Sequence, residues 1–204
     1  MNHAGAVESF YQRCGKRIAD FTLALIGLVL FGIPMLAVGL LIRLVDGAPI
    51  LFQQQRVGMH GGLFTICKYR TMRNRAQQGT TVTVAGDQRV SRLGRFLRAC
   101  KLDELPQLIN VLKGEMSFVG PRPDVPGYAD RLVGQDRLVL AIRPGITGPA
   151  TLAFRNEEEL LAGVPDPIKY NNEVIFPEKV RLNVEYARTM TFAKDVALVF
   201  KTVF

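Results

Sequence analysis

Cysteine and histidine are both rare in this sequence. Its 204 residues include three cysteines and two histidines, with no Cys-x-x-Cys pair. Three well-separated cysteines argue against a disulfide framework and are typical of a reducing compartment. A structural zinc site would need four clustered cysteine or histidine ligands, so the composition argues against that kind of site as well.

Aromatic residues are scarce too. Tryptophan is absent and aromatic residues make up 8% of the chain, which leaves few platforms for stacking nucleic-acid bases. The chain is instead 48% hydrophobic and carries a net charge of +8. A chain that is both apolar and basic is suited to a surface of anionic lipid. Charge alone leaves a nucleic-acid-binding domain open as an alternative.

A long apolar run follows a basic N-terminal segment. Residues 21–42 contain no charged side chain, and a helix of this length would span about 33 Å, enough for a hydrocarbon core of about 30 Å. Pro34 lies near the middle and predicts a break, while Arg17 and Arg43 place basic flanks on both sides. The residues leave open a re-entrant helix-break-helix, a kinked crossing and a buried hairpin of a soluble protein.

Two short strand-like runs come next, at residues 50–58 and 63–72, around a glycine-rich turn, and they predict a small hairpin. Lys68 and Arg70 crowd its far end, where either a solvated face or contact with a phosphate would account for them. From Ser91 an amphipathic basic helix is predicted, either lying in a membrane interface or covering a core. Two further helices are predicted after Pro177.

The stretch at residues 101–124 carries the most specific chemistry. Asp103 and Glu104 are adjacent and precede an apolar run that Gly114 ends. If the helix from Ser91 continued, both acids would fall on or beside its apolar face, where solvated acids are not expected. A simple helix cap by Asp103 is the structural alternative. Under either interpretation, a helix N-terminus beside the carboxylates would attract an anion.

Two arginines lie in rigid turns. Arg122 stands between Pro121 and Pro123, and Arg143 precedes a Pro-Gly pair. A guanidinium held on a stiff backbone can offer its forked donors to a phosphate with little ordering cost.

These segments resemble the bacterial sugar transferases, small monotopic phosphoglycosyl transferases that start glycoconjugate assembly on a polyprenol carrier. The likeness covers nearly the whole chain from about residue 13. The segments that carry it are Lys16-Arg17, Gln55-Arg56, Lys68-Tyr69-Arg70-Thr71-Met72, Leu102-Asp103-Glu104-Leu105-Pro106-Gln107, Gly120-Pro121-Arg122-Pro123 and Arg143-Pro144-Gly145-Ile146-Thr147-Gly148.

The resemblance implies a mostly α fold with a small β-hairpin (α+β). Residues 1–45 would form an N-terminal segment and a re-entrant membrane hairpin that breaks at Pro34. Residues 46–204 would form a catalytic domain with interfacial amphipathic helices, on the cytoplasmic face of the bacterial inner membrane. Ile33 stands where the family usually has serine before the proline, and residues 149–155 depart from the usual sequence after Gly148.

The resemblance also implies an activity. Asp103 would attack a UDP-sugar, release UMP and carry the sugar phosphate to a polyprenol phosphate, commonly undecaprenol phosphate. Glu104 would complete a catalytic dyad, and Asp103 would contact the Mg²⁺ cofactor. Substrate phosphate would be bound by basic residues drawn from several segments: Arg122, Arg143, Arg155, Lys68 and Arg70. The expected partners are both substrates and inner-membrane lipids, with no nucleic acid and with a homodimer left open.

A basic scaffold bound at the membrane surface is the competing interpretation. In such a protein the acid pair would only cap a helix, and no magnesium-dependent turnover would occur.

Overall fold

The computed structural model describes residues 10–73 and 87–203, which are mostly helical with two small sheets. The helices are α1 (Lys16–Val45), α2 (Arg92–Ala99), α3 (Gln107–Lys113), α4 (Pro149–Ala153), α5 (Glu157–Ala162), α6 (Pro167–Tyr170), α7 (Phe176–Thr189) and α8 (Phe192–Val203). The strands are β1 (Leu51–Val57), β2 (Leu63–Tyr69), β3 (Ser117–Val119) and β4 (Gly145–Thr147). Single-turn elements include a 3-10 turn at Leu102–Glu104. The predicted α+β class is confirmed, and α7 and α8 match the two helices predicted after Pro177.

The predicted hairpin is formed by β1 and β2. They pair antiparallel, with Leu51 opposite Tyr69 and Val57 opposite Leu63. Its turn includes a residue with positive φ, His60 at 59°, next to Gly61 at 82°. The second sheet was not predicted: β3 and β4 pair in parallel, with Ser117 opposite Gly145.

The apolar run forms one continuous helix. α1 has 30 residues and contains Pro34 in its interior, so the predicted break is not an interruption of helical structure. Proline removes only one N–H donor, which a long helix with contacts on both sides can tolerate. Within the described residues, one helical stretch, Tyr11–Val45, is long and apolar enough to cross a membrane, and its most apolar 18-residue window has a mean hydropathy of 2.7 and is 11% buried. A continuous apolar helix does not by itself show whether the chain crosses a membrane or returns to the face from which it entered.

The N-terminal end of α1 is fixed to the remainder of the chain by polar contacts. Lys16 forms an ion pair with Asp195 of α8 and donates to the Tyr186 hydroxyl at 3.3 Å. Asp20 accepts hydrogen bonds from the Ser117 hydroxyl and the Phe118 amide, both at 3.1 Å. We call Lys16, Asp20, Ser117, Tyr186 and Asp195 the anchor cluster.

The C-terminal half of α1 is fixed to the same domain by different residues. Ile42 is fully buried in a core with Tyr69 and Leu97. The Tyr69 hydroxyl donates to the Met35 carbonyl oxygen at 2.6 Å. Arg70 donates to the Asp46 carbonyl oxygen at 2.6 Å, just after the helix ends. Between the two attached ends most of the apolar side chains are exposed, among them Val29 (76%), Leu30 (66%), Ile33 (82%) and Leu36 (76%).

α2 and α3 enclose the turn that carries the acid pair. Ser91 caps α2, since its hydroxyl accepts from the Gly94 amide at 2.8 Å. A Cβ at Gly94 would lie 2.1 Å from the Thr71 carbonyl oxygen, so glycine lets α2 lie directly on the end of the hairpin. On the apolar face of α2, Leu97 is buried while Phe96 is 59% exposed. α3 ends at Gly114, whose φ is 86°.

Candidate active site

The acid pair lies on the 3-10 turn Leu102–Glu104, between α2 and α3. Lys101, with a φ of 57°, precedes this turn and redirects the chain after α2. Pro106 occupies the N-cap position of α3 and no side chain caps that helix. The capping interpretation of Asp103 is therefore wrong, because the carboxylate satisfies no helix N–H group.

Glu104 is held by two cations. Arg122 donates to Oε1 at 2.6 Å and Lys68 donates to the same oxygen at 3.2 Å. Burial alone would raise the pKa of Glu104, but the charges of Arg122 and Lys68 outweigh burial and hold that pKa at about 2. Burial and the Arg122 charge lower the pKa of Lys68 to about 8, although Glu104 and Asp103 partly oppose them. Two of the residues predicted to bind substrate phosphate, Lys68 and Arg122, thus lie at the acid pair, and their phosphate-binding role stays a prediction.

Asp103 is the unpaired member of the acid pair. Its side chain is 9% exposed, and no residue in the described part of the chain donates a hydrogen bond to its carboxylate or lies within ion-pair distance. Burial and the adjacent Glu104 raise the pKa of Asp103, while Lys68, Arg98 and Arg122 act in the opposite direction. The two neighbouring acids therefore differ: Glu104 is neutralised by protein cations and Asp103 has free acceptor oxygens.

Arg122 is positioned by backbone hydrogen bonds on both sides. The Gly145 amide donates to the Pro121 carbonyl oxygen at 2.8 Å. On the other side, Arg56 Nη1 donates to the Pro123 carbonyl oxygen at 3.0 Å, and the Val57 amide donates to that of Asp124 at 2.9 Å. The Arg122 side chain nevertheless remains 46% exposed. The segment is fixed while its guanidinium stays accessible to an anion.

Arg98 is a cation near Asp103 that sequence reasoning missed. It donates to the Thr71 hydroxyl at 3.1 Å and to Glu158 at 3.1 Å. Its charge is one of those that lower the pKa of Asp103. In the sequence it is one of several regularly spaced basic residues on α2, and nothing there separates it from Arg92 or Arg95.

Three consecutive glutamates at residues 157–159 are typical of a solvated helix start. α5 does begin at Glu157. However, Glu157 receives two hydrogen bonds from Lys179, at 2.6 and 2.8 Å, and Glu158 pairs with Arg98. Both partners are distant in sequence. Glu157 also lies near enough to Arg122 that its charge helps to raise the pKa of that arginine.

The other three predicted phosphate-binding residues donate to backbone carbonyl oxygens elsewhere. Arg70 bonds to Asp46 and Gly47 at 2.6 and 2.9 Å. Arg143 bonds to Gly114 at 2.8 Å, and Arg155 to Lys201 at 2.8 Å. None of these hydrogen bonds involves Asp103 or Glu104, and the phosphate-binding role of the three arginines stays a prediction.

The acid pair fits a metal only in part. Across residues 10–73 and 87–203, no three His, Cys, Asp or Glu side chains are grouped closely enough to hold an ion. Mg²⁺ usually takes one or two carboxylates and completes its shell with water and substrate phosphates. The free oxygens of Asp103 suit such a site once a diphosphate is present. Magnesium therefore stays a prediction that depends on substrate.

The model of the family "Bacterial sugar transferase" matches residues 11–204. The chain belongs to the bacterial sugar transferase family. This confirms the resemblance found from the sequence, and it covers both α1 and the domain that carries the acid pair.

Three curated sugar transferases are similar to it. A UDP-glucose:undecaprenyl-phosphate glucose-1-phosphate transferase of Caulobacter vibrioides is 36% identical over 92% of this chain and 68% of its own length. An N-acetylgalactosaminephosphotransferase that uses undecaprenyl phosphate, from Aeromonas hydrophila, is 35% identical over 92% of this chain and 42% of its own. The galactosyl transferase CpsE of Streptococcus agalactiae is 34% identical over 92% and 41%. The chain thus spans less than half of two of these relatives, and the three are named for three different sugars.

Proposed function

We propose that this bacterial sugar transferase moves a sugar-1-phosphate from a UDP-sugar to a polyprenol phosphate, releasing UMP. The relatives' names support undecaprenol phosphate as the acceptor. The observation that carries the proposal is the difference within the acid pair: among the described residues, Glu104 is paired with two cations and Asp103 with none. A carboxylate nucleophile needs free oxygens next to cations that can bind its phosphorylated partner.

The proposed reaction has two displacement steps at one phosphorus atom. An Asp103 oxygen attacks the β-phosphorus of the UDP-sugar, and the bond from that phosphorus to the bridging oxygen breaks, so UMP leaves. An oxygen of polyprenol phosphate then attacks the same phosphorus and breaks its bond to Asp103. The product is a polyprenyl diphosphate sugar, and the Asp103 carboxylate is restored.

The cations around the acid pair are suited to binding the donor. Arg122, Lys68 and Arg98 place three positive charges near two carboxylates. Glu104 keeps Arg122 and Lys68 in place before the donor arrives, and the exposed part of Arg122 is available to a phosphate. Bound magnesium would supply further neutralisation of the diphosphate's charge.

The attachment of α1 supports a re-entrant course in the membrane. Both its N-terminal residues and its C-terminal half contact the same domain, through the anchor cluster and through Tyr69 and Ile42. A crossing helix would place its ends on opposite sides of a hydrocarbon core of about 30 Å. We therefore propose that the exposed middle of α1 dips into the inner membrane and that the site lies at its cytoplasmic face.

The proposal is tested by UMP release from the purified protein in detergent, with magnesium, undecaprenol phosphate and a panel of UDP-sugars. We expect UMP with a restricted set of sugars, and none from the Asp103→Asn variant. UMP release that persists in Asp103→Asn would remove Asp103 as the nucleophile. A folded protein that releases no UMP from any UDP-sugar would favour the scaffold interpretation.

A further inference from the structure

A second unpaired carboxylate lies beside the phosphate-binding arginine. Asp124 follows Pro121-Arg122-Pro123 directly. Its carbonyl oxygen accepts from the Val57 amide at 2.9 Å, and the preceding carbonyl accepts from Arg56 at 3.0 Å. The backbone that carries Asp124 is therefore fixed by the same contacts that fix the backbone of Arg122.

The Asp124 side chain is half-buried but has no direct partner. No described residue donates a hydrogen bond to its carboxylate or pairs with it within ion-pair distance. Burial raises its pKa to about 6, although Lys179, Arg56 and Arg122 oppose this effect and Glu157 adds to it. A carboxylate withdrawn from water without a hydrogen-bond donor has unused acceptor capacity.

The neighbouring cations already have partners of their own. Lys179 is bound to Glu157, and Arg122 to Glu104. Arg56 donates to the Pro123 carbonyl oxygen and, at 2.6 Å, to Gln54. Each cation near Asp124 is thus bound to another group, and the Asp124 carboxylate remains available as a hydrogen-bond acceptor.

The charges around Asp124 select the ligand chemistry. A phosphate would be repelled by Asp124 and Glu157, and a cation would be repelled by Arg56, Lys179 and Arg122. A neutral hydroxyl group meets neither repulsion and can donate to the carboxylate. The parts of a UDP-sugar that flank its diphosphate are sugar rings with such hydroxyl groups.

We propose that Asp124 accepts hydrogen bonds from ring hydroxyl groups of the UDP-sugar and so contributes to donor specificity. This inference rests on the proposed function, because it assumes that Arg122 holds the donor's diphosphate. The hydroxyl groups have two sources, the donor hexose and the ribose of the uridine, and the two are distinguished by the choice of ligand.

The experiment measures binding without turnover, by calorimetry in detergent with magnesium. Asp124→Asn is placed in an Asp103→Asn background and compared with that background alone. Asp130→Asn in the same background is the matched control, because Asp130 is exposed and bonds only to the Gly127 amide. The ligands are UDP-glucose, UDP-galactose, UDP-N-acetylgalactosamine, UDP, UMP and 2′-deoxy-UMP.

We expect Asp124→Asn to weaken the binding of at least one UDP-sugar roughly tenfold or more, the loss typical of a hydrogen bond to a charged group. A loss confined to UDP-sugars assigns the contact to the hexose. A loss shared by UDP and UMP, and absent for 2′-deoxy-UMP, assigns it to the ribose. Equal dissociation constants for all ligands in the two proteins would overturn the inference.

Two further readouts separate a binding role from a structural one. Thermal melting identifies a variant that fails to fold, and Asp124→Glu, which keeps the charge, should then recover part of the lost affinity. A loss of equal size for every ligand, 2′-deoxy-UMP included, would mark Asp124 as structural and overturn the inference. If the Asp103→Asn protein bound none of the nucleotides, the proposed function itself would fail. That result is distinct from one in which only the role of Asp124 fails.

Discussion

The anchor cluster and the acid pair are both groups of opposite charges, but they differ in how completely their members are paired. In the anchor cluster, Asp195 binds Lys16 and accepts from the Tyr186 and Tyr11 hydroxyls at 2.5 and 2.6 Å. In the acid pair, Glu104 binds two cations while Asp103 binds none in the part of the chain that the structure describes. Similar residue types therefore occur in two electrostatic states within one small protein.

This difference separates a structural role from a chemical one. A buried charge with every partner in place contributes to holding elements together and loses much when one partner is removed. A buried charge without partners is costly to the folded state and remains available for reaction. Mutations in the anchor cluster should therefore lower the free energy of unfolding, and mutation of Asp103 in the acid pair should lower the activity.

Asp103→Asn should have the largest effect on activity. We expect UMP release to fall roughly 10³-fold or more, as for the loss of other catalytic nucleophiles. The melting temperature should not fall, because no described ion pair is lost and a carboxylate with a raised pKa is replaced by a neutral amide. UMP assays and thermal melts of the same preparation measure both, with Asp130→Asn as the control. A marked drop in melting temperature would mean that Asp103 belongs with the structural charges.

Asp195→Asn should show the opposite pattern. It leaves Lys16 buried without its counter-charge, so we expect a loss of about 3 kcal/mol in the free energy of unfolding. Activity per folded molecule should change far less. Chemical denaturation in detergent, followed by helical circular dichroism, measures the loss. Exposed Glu185→Gln on α7 serves as the control, and an Asp195→Asn variant as stable as that control would contradict the structural role of the anchor cluster.

Arg122→Ala should come next, with an intermediate effect. The side chain is 46% exposed and Lys68 still pairs with the buried Glu104 after its removal, so the loss of stability should be smaller than that of Asp195→Asn. The KM for the UDP-sugar should rise roughly tenfold, because a charge-assisted contact to phosphate is lost. Arg122→Lys is the matched variant, since it keeps the charge and loses the planar fork. Unchanged kinetics in Arg122→Ala would remove this residue from the donor site.

Lys68 should give the site a dependence on pH. Its pKa is lowered from 10.5 to about 8, so it is cationic below pH 8 and neutral above. If its charge binds the donor, kcat/KM should fall as the pH rises through about 8, by up to about tenfold per unit. Lys68→Arg should move this alkaline limb upward, because a guanidinium stays charged. Identical alkaline limbs in the two proteins would show that Lys68 is not the titrating group.

Local patterns predicted the parts of the molecule that depend on nearby residues. The hairpin, the Ser91 cap and the end of α3 at Gly114 follow from turn and capping chemistry. The family resemblance gave Lys68 and Arg122 as phosphate-binding residues, and their ion pairs with Glu104 were not predicted. Contacts between distant residues carried no such signal, as Glu158 with Arg98 and β3 with β4 show.

Pro34 shows how context overrides a local rule. Proline in the middle of an apolar run predicts a break, yet α1 is continuous there. Ala24, before the proline, and Ile42, after it, are each fully buried, and they belong to different core clusters. These contacts hold both halves of the helix. Such support comes from residues far along the chain, and single-sequence patterns do not report it.

Tyr69→Phe should have the smallest of these effects and tests the C-terminal attachment of α1. The variant removes a neutral hydrogen bond to the Met35 carbonyl oxygen and keeps the ring in its core cluster. We expect a loss of about 1 kcal/mol in the free energy of unfolding, well below that of Asp195→Asn. Chemical denaturation under the same conditions measures the difference. A loss as large as that of Asp195→Asn would mean that both ends of α1 are held with equal strength, and that full charge pairing is not what distinguishes the anchor cluster.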